Sequence, residues 1–220
     1  MTFKETMAWL KKNGTEQNIK VYKRHGAGEN VFGVSFANIN YLIKKIKTDH
    51  DLALSLWKTG NTDAQTLALK IADPQKFTKS LANQWIKQIS YRILAGELAE
   101  LVAKTSFASE KMDQWTNSSK EFYRYCGYSM LCEALKENRV TPQKCIKYIS
   151  VIEKEIHESP NLAKYAMNMA LTAIGIYAFE KEAIKAAKRI GKVHVDHGET
   201  GCKTPDAEAY IKKAISRKNT

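Results

Sequence analysis

Between His194 and Cys202 the chain reads His194-Val195-Asp196-His197-Gly198-Glu199-Thr200-Gly201-Cys202, which places two imidazoles, two carboxylates and a thiol within nine residues. Each is a reasonable ligand for zinc or another transition ion. The spacing matches no established metal motif, and ligands drawn from one short loop seldom close a tetrahedron. The segment therefore reads as a structural turn, and no metal or other cofactor is expected. In such a turn Asp196 and His197 would hydrogen-bond neighbouring backbone, while Lys203 and the N-terminus of the last helix would stand available to a phosphate. His25, His50 and His157 fall at helix ends, as caps or surface groups. There is no Gly-x-Ser-x-Gly elbow and no His-Glu-x-x-His pair, so hydrolases built on those motifs have no support. The run from Gly26 to Gly33 lacks the preceding strand and the following Lys-Ser/Thr of a phosphate-binding loop and reads as a turn.

Composition narrows the partner. Thirty-five Lys and Arg against 23 acidic residues leave a formal charge of +12. Such an excess either keeps a protein soluble or meets a polyanion, since each neutralised phosphate releases a counterion. Charge alone does not separate nucleic acid from an acidic membrane surface. No window of about 18 apolar residues exists, so no membrane span is expected. The N-terminus has no signal-peptide core and looks helical from the start. Cys126, Cys132, Cys145 and Cys202 show no paired spacing and read as reduced thiols, which points to the cytoplasm. At 220 residues the chain can bury roughly 70% of its unfolded surface, and it is expected to form one domain over 1–220 and to act as a monomer.

The elements that would position any chemistry are helices. Phe36, Ile39, Leu42, Ile43 and Ile46 recur on one helix face behind Ser35 as N-cap. Leu52, Leu56 and Trp57 form a second stripe, closed by Gly60 as a left-handed cap. A third segment opens with Thr62 and Gln65 at capping-box spacing and stops at Asp73-Pro74. Thr2 with Glu5 caps a first helix, and a second runs from Thr15 to about Arg24. After Pro74 helices are expected from Gln75 to Ile89, Tyr91 to Lys104 and Ala108 to Trp115. Ser118 with Glu121, Thr141-Pro142, Ser159-Pro160 and Thr204-Pro205 read as further helix starts. The segment from Asn161 to Tyr177 is small and apolar nearly all round, as in the middle of a packed array. No two-residue alternation argues for a sheet. The fold class is all-α, and turns near every 35 to 40 residues suggest an α-solenoid with a concave basic groove.

Several blocks carry a resemblance. Gly33-Val34 before a helix, Asp49-His50-Asp51-Leu52-Ala53-Leu54-Ser55-Leu56-Trp57-Lys58-Thr59-Gly60, Asp63-Ala64, Ile71-Ala72-Asp73-Pro74 and Val195 to Ala207 together resemble the DNA alkylation repair family of HEAT-like-repeat proteins. The resemblance covers most of the chain. It implies a duplex DNA partner, alkylated where the protein is an enzyme, and hydrolysis of the N-glycosidic bond of an alkylated purine. A carboxylate would then stabilise the positive charge developing on deoxyribose, with aromatic rings helping and an Arg holding the backbone phosphate. Glycosylases of the family carry a Trp followed four residues later by an Asp, and an Arg on a later helix. Here Tyr91 matches the aromatic position, Ala95 stands where the Asp would be, and Glu97 is the nearest acid, about 120° away on a helix. Arg124 falls one residue before the family's Arg position, which Tyr125 occupies.

On this reading Glu97 is the candidate catalytic carboxylate, and Trp85, Tyr91 and Tyr125 shape a lesion pocket. Arg124 holds a phosphate, with Lys87, Arg92, Lys120, Lys188 and Arg189 as further backbone contacts inferred from charge and helix position. Two rivals stand beside it. One is a non-catalytic family member that recognises branched or damaged DNA through phosphates, which Ala95 favours. The other is a protein-interaction solenoid.

Overall fold

Capping side chains start most of the helices of the structure, a computed structural model that describes residues 1–218. The helices, in chain order, are α1 (Phe3–Lys12), α2 (Glu16–Arg24), α3 (Phe36–Ile46), α4 (His50–Trp57), α5 (Thr62–Ile71), α6 (Lys79–Lys87) and α7 (Arg92–Ala103). They continue with α8 (Ala108–Thr116), α9 (Glu121–Lys136), α10 (Pro142–Glu155), α11 (Asn161–Tyr177), α12 (Glu180–Ile190) and α13 (Ala207–Lys218). Among the described residues the one extended pairing is an isolated bridge between Gly14 and Val34. The all-α class holds.

Several starts are those expected. Thr2 and Glu5 form a reciprocal capping box, and Thr15, Ser35 and Thr141 each accept a backbone N–H of the first turn. Others differ, some because a nearer side chain takes the role and some because the start uses no side-chain cap. Asn61, not Thr62, caps α5 by accepting from Ala64 N–H at 3.1 Å. The helix expected from Gln75 begins only at Lys79, because Asp73 accepts from Gln75 N–H and Thr78 caps the helix proper. Tyr91 is not on a helix face: it is the extended N-cap residue of α7, at φ −131° and ψ 128°. Lys120 is the N-cap residue of α9 without a side-chain cap, and Ser118 Oγ accepts its N–H. Pro160 precedes α11 while Ser159 Oγ donates back to Glu155 O, and Asp206 rather than Thr204 accepts from Ala209 N–H at the start of α13.

The chain divides into two compact units, Met1–Phe107 with Gly198–Thr200, and Ala108–His197 with Gly201–Thr220. In the first, α5 is the axis. Every position of it but Lys70 is buried, and α3, α4 and α7 pack around it. In the second, α11 has that place against α9, α12 and α13, and its small residues allow close approach. At Gly127 of α9 an added methyl would stand 2.4 Å from the Thr116 backbone nitrogen, so only glycine lets α9 lie this close to the end of α8.

In both units alternate helices lie side by side, α3–α5–α7 in one and α9–α11–α13 in the other. Side-chain bonds repeat the same interval along the chain. Asn61 donates to Asn30, Trp57 to Gln88, Lys70 to Glu100, Lys144 to Asp113 and Arg189 to Glu153, over separations of 30 to 36 residues. That interval is the length of one helix pair and links each pair to the next.

Candidate functional site

The first unit holds a cleft of about 700 Å³ lined by α4, α6, the start of α7 and the loop at Gly28–Asn30. Its wall is aromatic. Trp57 and Trp85 stack face to face at 4.0 Å with their rings 1° from parallel, and Phe77 meets Trp85 edge-on at 5.0 Å. Trp57 Nε1 donates to Gln88 Oε1 at 2.5 Å, which fixes the pair from the α6 side. Trp85 is only 2% exposed. Both its face and its edge are used within the protein, so it shapes the cleft from behind rather than offering a ring to a ligand.

Tyr91 lines the same cleft and a second, small cavity beside Tyr22 and Asp63. It is 3% exposed, and its hydroxyl is buried without a hydrogen-bond partner. Burial, together with Tyr22 and Asp63 nearby, pushes the phenol well above its usual range, so it stays protonated at neutral pH. The rest of the cleft is amide-rich, with Asn30, Gln65, Gln84 and Gln88, and Lys58 is the cation among its described lining residues. Glu29 is the carboxylate among its described lining residues, and Lys23 pairs with it.

Glu97 is not among the lining residues. Its carboxylate meets Lys70 of α5, and the same ammonium bonds Glu100 at 2.7 Å, one turn along α7. Lys104 then closes on Glu100, also at 2.7 Å. Burial holds the Glu97 carboxyl above its usual range in spite of Lys70. Burial also opposes ionisation of Glu100, but hydrogen bonds from Lys104 and Lys70 outweigh it and bring that carboxyl down to about 2. Ala95, at the position the resemblance gives to an acid, is buried and cannot be replaced by a carboxylate without a partner.

Asp63 does different work. It is 2% exposed, at the start of α5, and accepts the N–H groups of Phe32, Gly33 and Val34 at 2.6, 3.1 and 2.8 Å. Gly33 takes φ +77°, where a side chain would also meet Thr15 O at 2.4 Å. Tyr22 completes the arrangement by donating to Val34 O at 2.5 Å.

In the second unit Arg124 spans three elements. Nε donates to Thr116 O at 3.2 Å, one terminal nitrogen to Ser159 Oγ at 3.1 Å, and the other pairs with Glu155. Tyr125 is buried in α9. Tyr123 packs edge-on against Trp115, with Lys120 5.4 Å above its ring.

The family described as DNA alkylation repair enzyme matches residues 6–211. The chain belongs to that family. Among its relatives are the uncharacterized proteins Lin0241 of Listeria innocua, 28% identical with 100% of both chains covered, and Lmo0209 of Listeria monocytogenes, 28% identical with 99% of both covered. A solved structure described as belonging to a new family of proteins related to the HEAT-like repeat DNA glycosylases, with affinity for branched DNA structures, is similar at a TM-score of 0.91 and 31% identity. That likeness covers 99% of this chain and 95% of the other. The HEAT-like-repeat fold follows from it.

For a DNA alkylation repair family member, the basic side chains expected at phosphates divide into two kinds. Lys87 and Lys120 are exposed, and Arg92, the first residue of α7, is half-buried. Lys188 lies 3.7 Å from Glu208, and Arg189 donates to Glu153 at 2.9 Å. The Val195–Ala207 block that supports the resemblance is a turn held by side chains. Asn161 bonds the backbone of Asp196 in both directions at 2.7 Å, and His197 Nε2 meets Thr204 Oγ1 at 2.9 Å beside the Tyr165 ring. Among the described residues no group of three or more His, Cys, Asp and Glu is placed to hold a metal ion, and no helix is long and apolar enough to cross a membrane. Sequence reasoning overlooked Lys70, Trp57, Gln88 and Glu155. Their spacing of 27 to 31 residues from Glu97, Trp85, Trp57 and Arg124, close to one repeat, was the available signal for the ion pairs, the Trp stack and the Trp57 hydrogen bond.

Proposed function

We propose that this protein binds branched or distorted DNA through backbone phosphates and does not hydrolyse glycosidic bonds. The observation that carries the reading is the state of the charged groups such chemistry would need. Both carboxylates of α7, Glu97 and Glu100, are tied to Lys70, and Arg124 is tied to Glu155. A carboxylate already neutralised by an ammonium does little for a cationic sugar, and a guanidinium with three protein partners has little left for a phosphate. The cleft offers no substitute carboxylate, since Glu29, the acid among its described lining residues, is paired with Lys23. The structural relative's affinity for branched DNA supports the DNA partner, and the excess of Lys and Arg supplies the counterion release that phosphate binding needs. A cytoplasmic, monomeric protein belongs to the same proposal, supported by four cysteines of which none forms a disulfide among the described residues.

Two assays test it together. Native protein incubated with alkylated duplex under single-turnover conditions should release no methylated base. The same preparation should bind a four-way junction more tightly than a linear duplex, with affinity falling steeply between low and physiological salt. Base release that Glu97→Gln abolishes would establish a working glycosylase and overturn the proposal, as would equal, salt-insensitive affinity for both DNAs.

A further inference from the structure

The first 47 residues hold nine Lys and Arg against three Glu, half of the whole chain's excess of twelve positive charges. Two of the three carboxylates there are engaged locally. Glu5 accepts Thr2 N–H at 2.9 Å in the capping box, which holds its carboxyl below the usual range, and Glu29 pairs with Lys23. Lys12, Lys44 and Lys45 are exposed and have no carboxylate within salt-bridge distance among the described residues.

Within this basic region one aromatic ring lies open, backed by a half-buried second ring. Trp9 of α1 and Tyr41 of α3 stack at 5.6 Å with 17° between their planes, and Tyr41 is 53% exposed. The helix register gathers the lysines around them. Tyr41, Lys44 and Lys45 share one face of α3, and Glu5, Trp9 and Lys12 share one face of α1. The Lys45 charge is felt at Glu5 while Trp9 meets Tyr41, so side chains of the two faces meet there.

We propose that Trp9 and Tyr41, with Lys12, Lys44 and Lys45, form a docking platform for unpaired nucleotides of a DNA strand. The inference deepens the proposed function by naming what part of a branched DNA is read. A half-exposed ring backed by a second ring presents a rigid flat surface to a base, and lysines one turn away neutralise the flanking phosphates. Paired bases inside a duplex are already stacked and do not reach it. Unpaired nucleotides at a flap or a junction do. Glu5 is the one acidic residue that α1 and α3 carry, and its capping role directs it at the Thr2 backbone N–H.

The test measures binding of a labelled oligothymidylate and of a blunt duplex of equal length, with tryptophan emission as second readout. Native protein should bind the oligothymidylate with quenching of tryptophan emission. Tyr41→Ala should weaken that binding about tenfold and change duplex binding less than twofold, while Tyr41→Phe should behave as native. Lys44→Gln with Lys45→Gln should lower the slope of log affinity against log salt by about 1.4 for the single strand. Thermal melts of each variant check folding, and Tyr41→Phe keeps the ring in place if Tyr41→Ala melts early. Junction binding that persists while Tyr41→Ala leaves oligothymidylate affinity unchanged would overturn the platform and leave the proposed function standing. Loss of junction binding by native protein, with Tyr41-dependent binding of the single strand, would do the reverse. A native dimer in sedimentation that Tyr41→Ala dissociates would assign the surface to a second copy and overturn the proposal.

Discussion

Asp63 in the first unit and Arg124 in the second are both largely buried charges that tie distant segments together, yet their partners differ in kind. Asp63 accepts three main-chain N–H groups from one short loop, so the carboxylate is satisfied by dipoles alone. Arg124 donates to a carbonyl, a hydroxyl and a carboxylate from three separate elements, and its charge is cancelled by Glu155. The first arrangement fixes a loop without a counter-ion, and burial raises the Asp63 carboxyl above its usual range; the second fixes helices to one another around an ion pair. A buried charge is therefore evidence of a site only after its partners have been counted.

The comparison breaks most visibly at Asp63. Asp63→Ala leaves three buried amides without an acceptor and should destabilise the protein by about 3–5 kcal/mol in urea titrations, whereas Asp63→Asn, which retains one carbonyl oxygen, should lose less. Equal losses for the two variants would mean that the amides find water. Gly33→Ala comes next, at about 2–4 kcal/mol, because the left-handed φ and the approach of Thr15 O both resist a methyl. Combined with Asp63→Ala it should be markedly less than additive, since the two changes disrupt one arrangement. Arg124→Ala should cost about 2 kcal/mol, less than Asp63→Ala, because Glu155 is partly exposed and regains water. If Arg124→Ala instead left stability intact and reduced DNA affinity more than tenfold, Arg124 would be a phosphate ligand after all.

The smallest effect expected is in acid. Glu100 titrates in the folded protein near 2, against a usual 4.5, so its contribution to stability is complete above about 4.5 and disappears as pH falls toward 2. Glu100→Gln should flatten the acid limb of a melting-temperature profile over that window. The change should be modest, since the side chain is 42% exposed and open to solvent screening.

What could be read from sequence divides along the range of the interaction. Caps at Thr2, Thr15, Ser35 and Thr141 act over three residues, and the order and apolar faces of the helices follow from periodicity, so these were legible. Where two capping side chains stood close together, as Asn61 and Thr62 or Thr204 and Asp206, spacing alone did not choose between them. The candidate site was less legible still. Glu97, Trp85 and Arg124 stand out by residue type, but what each can do is decided by Lys70, Trp57 and Glu155, about one repeat away. Tyr91 was placed on a helix face because an N-cap that uses no side chain leaves no mark in the sequence.

The loop held by Asp63 has a consequence for how such sequences drift. Its donors are main-chain amides, which every residue but proline supplies, so Phe32 and Val34 are free to vary as far as this interaction is concerned. Gly33 and Asp63 are not: one must tolerate a left-handed backbone and the other must supply two oxygens. Across divergent relatives the arrangement should therefore survive as two isolated letters about thirty positions apart, a trace that comparison of neighbouring residues would not register.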